Sequence, residues 1–517
     1  MSQPHALSLA RLRAEWCPSL PRELLAGAVA TFALIPEVIA FSFVAGVDPA
    51  VGLFASFVIS IVIAFTGGRP AMVSAAAGSV ALVAAPLVQS HGLPYLLAAG
   101  LLAGVVQVVF GMLRLGVLMR FVSSSVRTGF VNALAVLIFA AQLPHLRGTT
   151  PATWALLALG LALIYGLPRL RLRAFTVIPS PLVCIVVLSI VAAAWHLRVA
   201  TVADLGQLPD SLPAFGWPGV PVSLDTLRLI ALPALAIAMV GLLESLMTAR
   251  VVDELTDTPS SKNRECAGLG LANIAASLFG GIAGCGMIGQ TVGNVKYGGR
   301  GRLSTLFAGV FLLILMVALK PWVSQVPVVA LVAIMVMVSA ETFDWKSAGT
   351  LVRHPRSSSA VMLATVAVTL ATHNLAAGVA VGVVMSGVLF TFKVARLLEV
   401  RAHDEDAGAI GDSRGTRRWQ VRGQVFFASA DAFVDAFDIL GAEGRPVRID
   451  VSQAHFWDVT AIAALDKVVQ RLEHHGCRVE VVGLNRASEV LIDRLSVRNS
   501  SACTSVRACE VANSPDG

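Results

Sequence analysis

The chain has 517 residues, 56% hydrophobic and only 14% charged, whereas soluble domains average about 25% charged residues, so a single soluble core is excluded. The net charge of +7 divides into +11 for residues 1–398 and −4 for residues 399–517, because the tail holds 32 of the 71 charged residues. Nucleic-acid binding needs a basic stripe on a soluble domain; no nucleic-acid partner is expected. Seven cysteines without C-x-x-C pairs and ten histidines without metal spacing leave no disulfide framework, metal or cofactor to expect. Walker-type and HExxH patterns are absent from the sequence, so the chain reads as a non-enzyme.

Residues 1–21 read as a cytoplasmic N-terminal segment, and the apolar run after it is too long and too glycine-punctuated for a cleaved signal. A membrane-spanning helix needs about 20 largely apolar residues. Runs of that kind occupy approximately 24–44, 49–66, 94–113, 121–143, 151–167, 176–195, 227–249, 266–283, 303–323, 325–341, 357–372 and 374–395. Two shorter stretches, 74–89 and 286–296, follow the small-residue clusters SAAAGS and GGIAGCGMIGQ and read as half-helices, making fourteen segments. When Lys and Arg are assigned to alternate sides, 21 of the 25 basic residues of this part fall on the side of the N-terminus, which places both ends of the membrane domain in the cytoplasm.

The short segments are third and tenth, seven apart, so the domain (22–398) reads as two inverted repeats, about 22–196 and 226–398. Small residues in one membrane segment merely permit close packing; two broken segments at matching places point to a transporter's substrate site. Helix N-termini offer unpaired N–H groups and a positive dipole end to an anion. Neither small-residue cluster contains Arg or Lys, which favours a small, readily exchanged anion. Only Glu37 and Glu244 fall well inside apolar spans, at equivalent positions of the two halves. A carboxyl at bilayer depth marks an ion or proton pathway, and Thr248 shares the helical face of Glu244 one turn on.

Residues 399–416 read as a charged linker and 417–497 as a small α/β domain, with strands in RWQVRGQVFFAS, PVRIDVSQ and RVEVVGL and helices in DAFVDAFDIL, TAIAALDKVVQRLEHHG and RASEVLIDRLS. Residues 498–517 read as a disordered tail.

The stretch GAVATFALIPEVIAFSFVAGVDPAVGLFASF resembles the opening signature of the SulP anion permeases, ANIAASLFGGIAGCGMIGQTVGNVKYGGRGRLS resembles their ninth to eleventh segments, and DVSQAHFWDVTAIAAL resembles their cytoplasmic STAS domain. The resemblance implies an all-α fold of fourteen segments with core and gate domains, an anion held between segments three and ten, and a homodimer. It puts substrate contacts at Ala77, Gly286, Met287 and Ile288 and coupling-ion contacts at Glu244 and Thr248; the small-residue cluster adds Gly78 and Ser79 to the first set, and membrane depth adds Glu37 to the second. Ile288 stands where sodium-coupled relatives have a threonine oxygen. A hard cation wants about six oxygens, so a proton is favoured over sodium. In DVTA, Thr460 matches the phosphoacceptor of related anti-sigma antagonists; the plainer reading is a helix start capped by Asp458.

The expectation is a transporter in the cytoplasmic (inner) membrane, moving sulfate or a similar oxyanion with protons by elevator-type alternating access. The alternatives are a sodium-coupled bicarbonate or proton-coupled dicarboxylate carrier, a nucleobase permease of the same architecture, and a regulatory membrane protein signalling through the STAS domain.

Overall fold

The structure, a computed structural model, describes residues 15–117, 122–147, 149–170, 180–205, 215–318, 320–350, 356–372, 374–404 and 416–484. The helix expected in RASEVLIDRLS and the tail expected to be disordered lie outside the described residues. By contacts the chain divides into two compact units, Met1–Val383 and Val384–Gly517.

Each of the fourteen expected segments contains a helix: α1 Leu20–Ala45, α2 Pro49–Thr66, α3 Gly78–His91, α4 Leu93–Met112, α5 Ser124–Gln142, α6 Pro151–Gly166, α7 Ser180–Ala194, α8 Leu224–Thr256, α9 Lys262–Leu278, α10 Ile288–Lys296, α11 Arg302–Ala318, α12 Val328–Thr342, α13 Arg356–Thr372 and α14 Leu375–Ala395. Seven of these are long and apolar enough to cross a membrane by length and composition alone. Proline at the start of α2, α4 and α6 takes the position where its missing N–H has no helical partner to lose.

Helix α3 has 14 residues and α10 has 9, and a three-residue strand precedes each: β1 (Ser74–Ala76) and β2 (Gly284–Gly286). They pair antiparallel, Ser74 with Gly286 and Ala76 with Gly284. Non-helical backbone at membrane depth persists only where its polar groups are met inside the protein, and here they are. Ser56 Oγ accepts from Ala76 N at 3.1 Å, Ser60 Oγ donates to Ser74 O at 2.8 Å, and Asn273 takes both Gly284 N at 2.8 Å and Gly284 O at 3.2 Å. Ser245 Oγ accepts from Gly286 N at 2.8 Å, and Met287 N donates to Val73 O at 2.9 Å. The strands approach so closely that a Cβ on Gly284 would lie 2.1 Å from Ala75 O; only glycine fits.

Helix α4 packs on α9, α9 on α2, α11 on α1 and α2, and α8 on α4, whereas α13 packs on α5, α12 on α5 and α6, and α6 on α7. The helices therefore group as α1–α4 with α8–α11 and as α5–α7 with α12–α14, where Gly378 and Gly382 of α14 lie against Thr365 and Thr369 of α13, each group drawing equally on both halves of the domain. At one end of the first group buried charges are tied to backbone and to each other. Glu23 accepts from the N–H groups of Arg300, Gly301 and Ser304. Arg302 pairs with Glu15 at 2.7 Å, and Arg69 pairs with Asp253 at 3.1 Å.

In the second unit, β3 (Glu399–Asp404), β4 (Arg417–Val425), β5 (Pro446–Phe456) and β6 (Arg478–Val482) form a four-stranded sheet in that order. The β3–β4 pair is antiparallel and the other two are parallel. Helices α15 (Ala430–Asp435) and α16 (Val459–His474) connect them, enclosing a core that includes Trp419, Phe433, Ile449, Phe456, Leu465 and Val468. Residues 399–404, expected within the linker, are strand β3 instead: Leu398 and Val400 pack against this core, while the intervening charged side chains mask the alternation.

Candidate functional site

The extended β1 and β2 each turn directly into a helix, so two helix N-termini arise beside the strand pair. Ala77, 1% exposed, is the N-cap of α3, and Gly78 and Ser79 open its first turn. Gly286 ends β2, the buried Met287 is the N-cap of α10, and the half-buried Ile288 is its first residue. Neither N-cap provides a side-chain hydrogen bond, so first-turn N–H groups remain for something else. All six residues expected to contact substrate thus surround one strand crossing.

Glu244 and Thr248 lie on α8. Ser79 Oγ donates to Glu244 Oε2, and Cys285 Sγ donates to the same oxygen at 3.1 Å. Thr248 Oγ1 bridges Glu244 O at 2.8 Å and Gly286 O at 3.0 Å. The carboxyl of α8 is thereby tied to α3, which belongs to the other half of the domain. Glu37 on α1 makes the reciprocal approach, its carboxyl lying under the influence of the Gln290 side chain of α10. Each repeat sends one carboxyl to the half-helix of the other. Glu37 also feels the like charge of Glu341, and Glu244 and Glu37 are both half-buried.

Three residues of this site were not singled out in the sequence. Cys285 sits within the glycine-rich cluster and reads there as one more small residue. Gln290 is a polar residue in the first turn of a half-helix, and that position was its available signal. Phe41, buried on α1, has its ring where a Cβ on Gly78 would stand, 2.6 Å from Cε1; its place beside α3 follows only from the fold. Thr460 belongs to the second unit, exposed in the first turn of α16, where Asp458 caps the helix by accepting from Ala461 N at 2.8 Å.

Fourteen segments in two interleaved groups, half-helices meeting at a strand pair and a small α/β domain following them in the chain define a multi-pass membrane transporter rather than an enzyme. The family model described as "Sulfate permease family" matches residues 20–157 and 149–365, and that described as "STAS domain" matches 415–507. The chain belongs to the sulfate permease (SulP) family. It is 47% identical over 94% of its length, and 99% of the relative's, to the putative sulfate transporter YbaR of Bacillus subtilis strain 168. It is 25% identical to the bicarbonate transporter BicA of a Synechocystis species, covering 86% of this chain and 85% of that one. The solved structure of the murine solute carrier 26 family member A9 anion transporter superposes with a TM-score of 0.80 at 17% identity over 96% of this chain and 93% of that one, a likeness of fold.

Proposed function

We propose that this SulP-family anion transporter is a secondary carrier of sulfate or a similar small oxyanion, coupled to protons and moving its anion by elevator-type alternating access. The observation that carries the reading is the Glu244 carboxyl, held by Ser79 and Cys285 at the start of α3. A carboxyl there can load a proton and so spare an arriving anion the repulsion of a fixed negative charge, which makes proton and anion binding mutually favourable. Ala77, Gly78, Ser79, Gly286, Met287 and Ile288 bring backbone and uncharged side chains to the anion but no cation, which suits an ion that must leave as readily as it arrives.

Protons rather than sodium are supported by Ile288, which offers no side-chain oxygen, and by the two donors directed at Glu244. Sulfate is supported by YbaR, the relative with 47% identity, which is named a putative sulfate transporter. The positive-inside distribution supports insertion in the cytoplasmic membrane with both ends of the domain cytoplasmic. The family resemblance supports a homodimer, and residues 417–497 serve in this reading as a cytoplasmic module outside the transport path.

The test is uptake of labelled sulfate, bicarbonate, fumarate and chloride by the whole protein in proteoliposomes, first with an inward proton gradient and then with a sodium gradient at equal pH. Sulfate accumulation driven by protons is the expected result. A response to sodium alone, or to bicarbonate or fumarate in place of sulfate, would overturn it.

A further inference from the structure

A cavity of about 150 Å³ lies away from the strand crossing, lined among others by Arg127 of α5, Leu246, Met247 and Arg250 of α8, and Lys262 and Asn263 at the start of α9. With about 30 Å³ of liquid volume per water, it has room for one tetrahedral oxyanion and a little of its hydration. Three cations line it. Of the acidic groups nearby, Glu254 pairs with Arg250 at 3.0 Å and acts electrostatically on Arg127, whereas Asp253 is engaged by Arg69 and Ser260. Three positive charges against one carboxylate leave an excess of two.

One polar atom here is also underemployed. Arg127 Nε, a donor, is buried yet has no hydrogen-bond partner among the described residues. Burying such an atom unmet is unfavourable, and Arg127 and Arg250 repel one another across the space. Like charges gathered around a void with a spare donor are stabilised by an anion that accepts from several of them at once, and guanidinium matches the oxygens of sulfate and phosphate groups in geometry as well as charge.

The geometry points to a second anion site in this cavity, for a tetrahedral oxyanion group held by Arg127, Arg250 and Lys262. It stands on α8 six residues beyond Glu244, about 9 Å along the helix, and its cations come from both helix groups. The same chemistry is offered by free sulfate or phosphate and by the phosphate of an anionic lipid. The assignment does not depend on which ion couples transport.

Arginine footprinting tests it. The whole protein in zwitterionic nanodiscs is treated with phenylglyoxal, and modification of Arg127, Arg250 and the exposed control Arg228 is followed by peptide mass spectrometry. The additions are sodium sulfate, sodium phosphate, or sodium chloride at equal ionic strength; a parallel sample contains anionic phospholipid. Protection of Arg127 and Arg250 by sulfate or phosphate, with Arg228 unaffected, supports the site and makes a free oxyanion its occupant. Protection only with anionic lipid supports it with a headgroup phosphate. Lys262→Gln, at an exposed position, should fold normally and weaken protection roughly fivefold, with recovery in Lys262→Arg. Absence of protection under every condition, equal protection by chloride or at Arg228, or full protection in Lys262→Gln would overturn the assignment.

Discussion

The starts of α3 and α10 are the same device built twice, yet they are equipped differently. At α3 the carboxyl of Glu244 receives two donors, Ser79 and Cys285, from the two sides of the strand crossing. At α10 the carboxyl of Glu37 meets Gln290 and has Glu341 as a like-charged neighbour. A repeated architecture thus carries unequal chemistry: the α8 carboxyl is integrated into the crossing, and the α1 carboxyl lies beside it. In the proton-coupled carrier proposed above, this asymmetry assigns the proton to Glu244 and leaves Glu37 an auxiliary.

The largest effect should come from exchanging the two carboxyls for amides one at a time. Glu244→Gln should abolish the response of uptake to a pH gradient while equilibrium anion binding persists, whereas Glu37→Gln should leave part of the response. Vesicle uptake with and without the gradient decides, and equal losses in both variants would break the comparison. Next in size is Asn273→Ala, which strips partners from both polar groups of Gly284. Two buried backbone groups left unmet should cost about 2–4 kcal/mol, read as a lower unfolding temperature of the purified protein.

A smaller change is expected from the donors. Ser79→Ala combined with Cys285→Ala should slow proton-driven uptake roughly tenfold, since a hydrogen bond to a charged group contributes about 1.5–3 kcal/mol, while Gln290→Ala should slow it less. The reverse ranking would move the principal coupling site to α10.

The second unit supplies the reference case of a carboxyl answered by a cation. Burial raises the Asp450 carboxyl, but bonds from Ser452 and from Arg418, at 2.8 Å, outweigh it and hold it below its ordinary value of 3.8. A depressed carboxyl contributes stability above its unfolded value and loses it as pH falls through the lower, folded one. Asp450→Asn should therefore destabilise the sheet by about 1 kcal/mol near neutrality and by nothing once pH lies below both values. Hydrogen exchange of residues 446–456 in the whole protein measures this.

The helices were legible because a membrane imposes length and polarity on each segment independently of the others, and the half-helices because glycine and alanine clusters interrupt that rule. Glu37 and Glu244 stood out as charges among apolar neighbours. Their partners did not: Ser79 is 165 residues from Glu244, and Gln290 meets Glu37 only after the repeats interleave. Strand β3 was hidden for a different reason, its two apolar contacts being diluted among Glu399, Arg401 and His403 in a stretch whose composition reads as linker. Local composition announces an element, whereas pairings between repeats depend on topology.

The bonding of β1 to β2 has a consequence for how such a carrier can change over evolution. Backbone hydrogen bonds join the two half-helix starts, so neither can be displaced without carrying the other, and in the proposed alternating access the spacing between their N–H groups would be kept on both sides of the membrane. Under the proposed elevator motion, ion choice would be written within one inherited unit, while the surfaces it slides against would set rate and direction. On that proposal, substitutions on α5–α7 and α12–α14 would retune speed without altering which anion is accepted, and a new substrate would require change at the crossing itself.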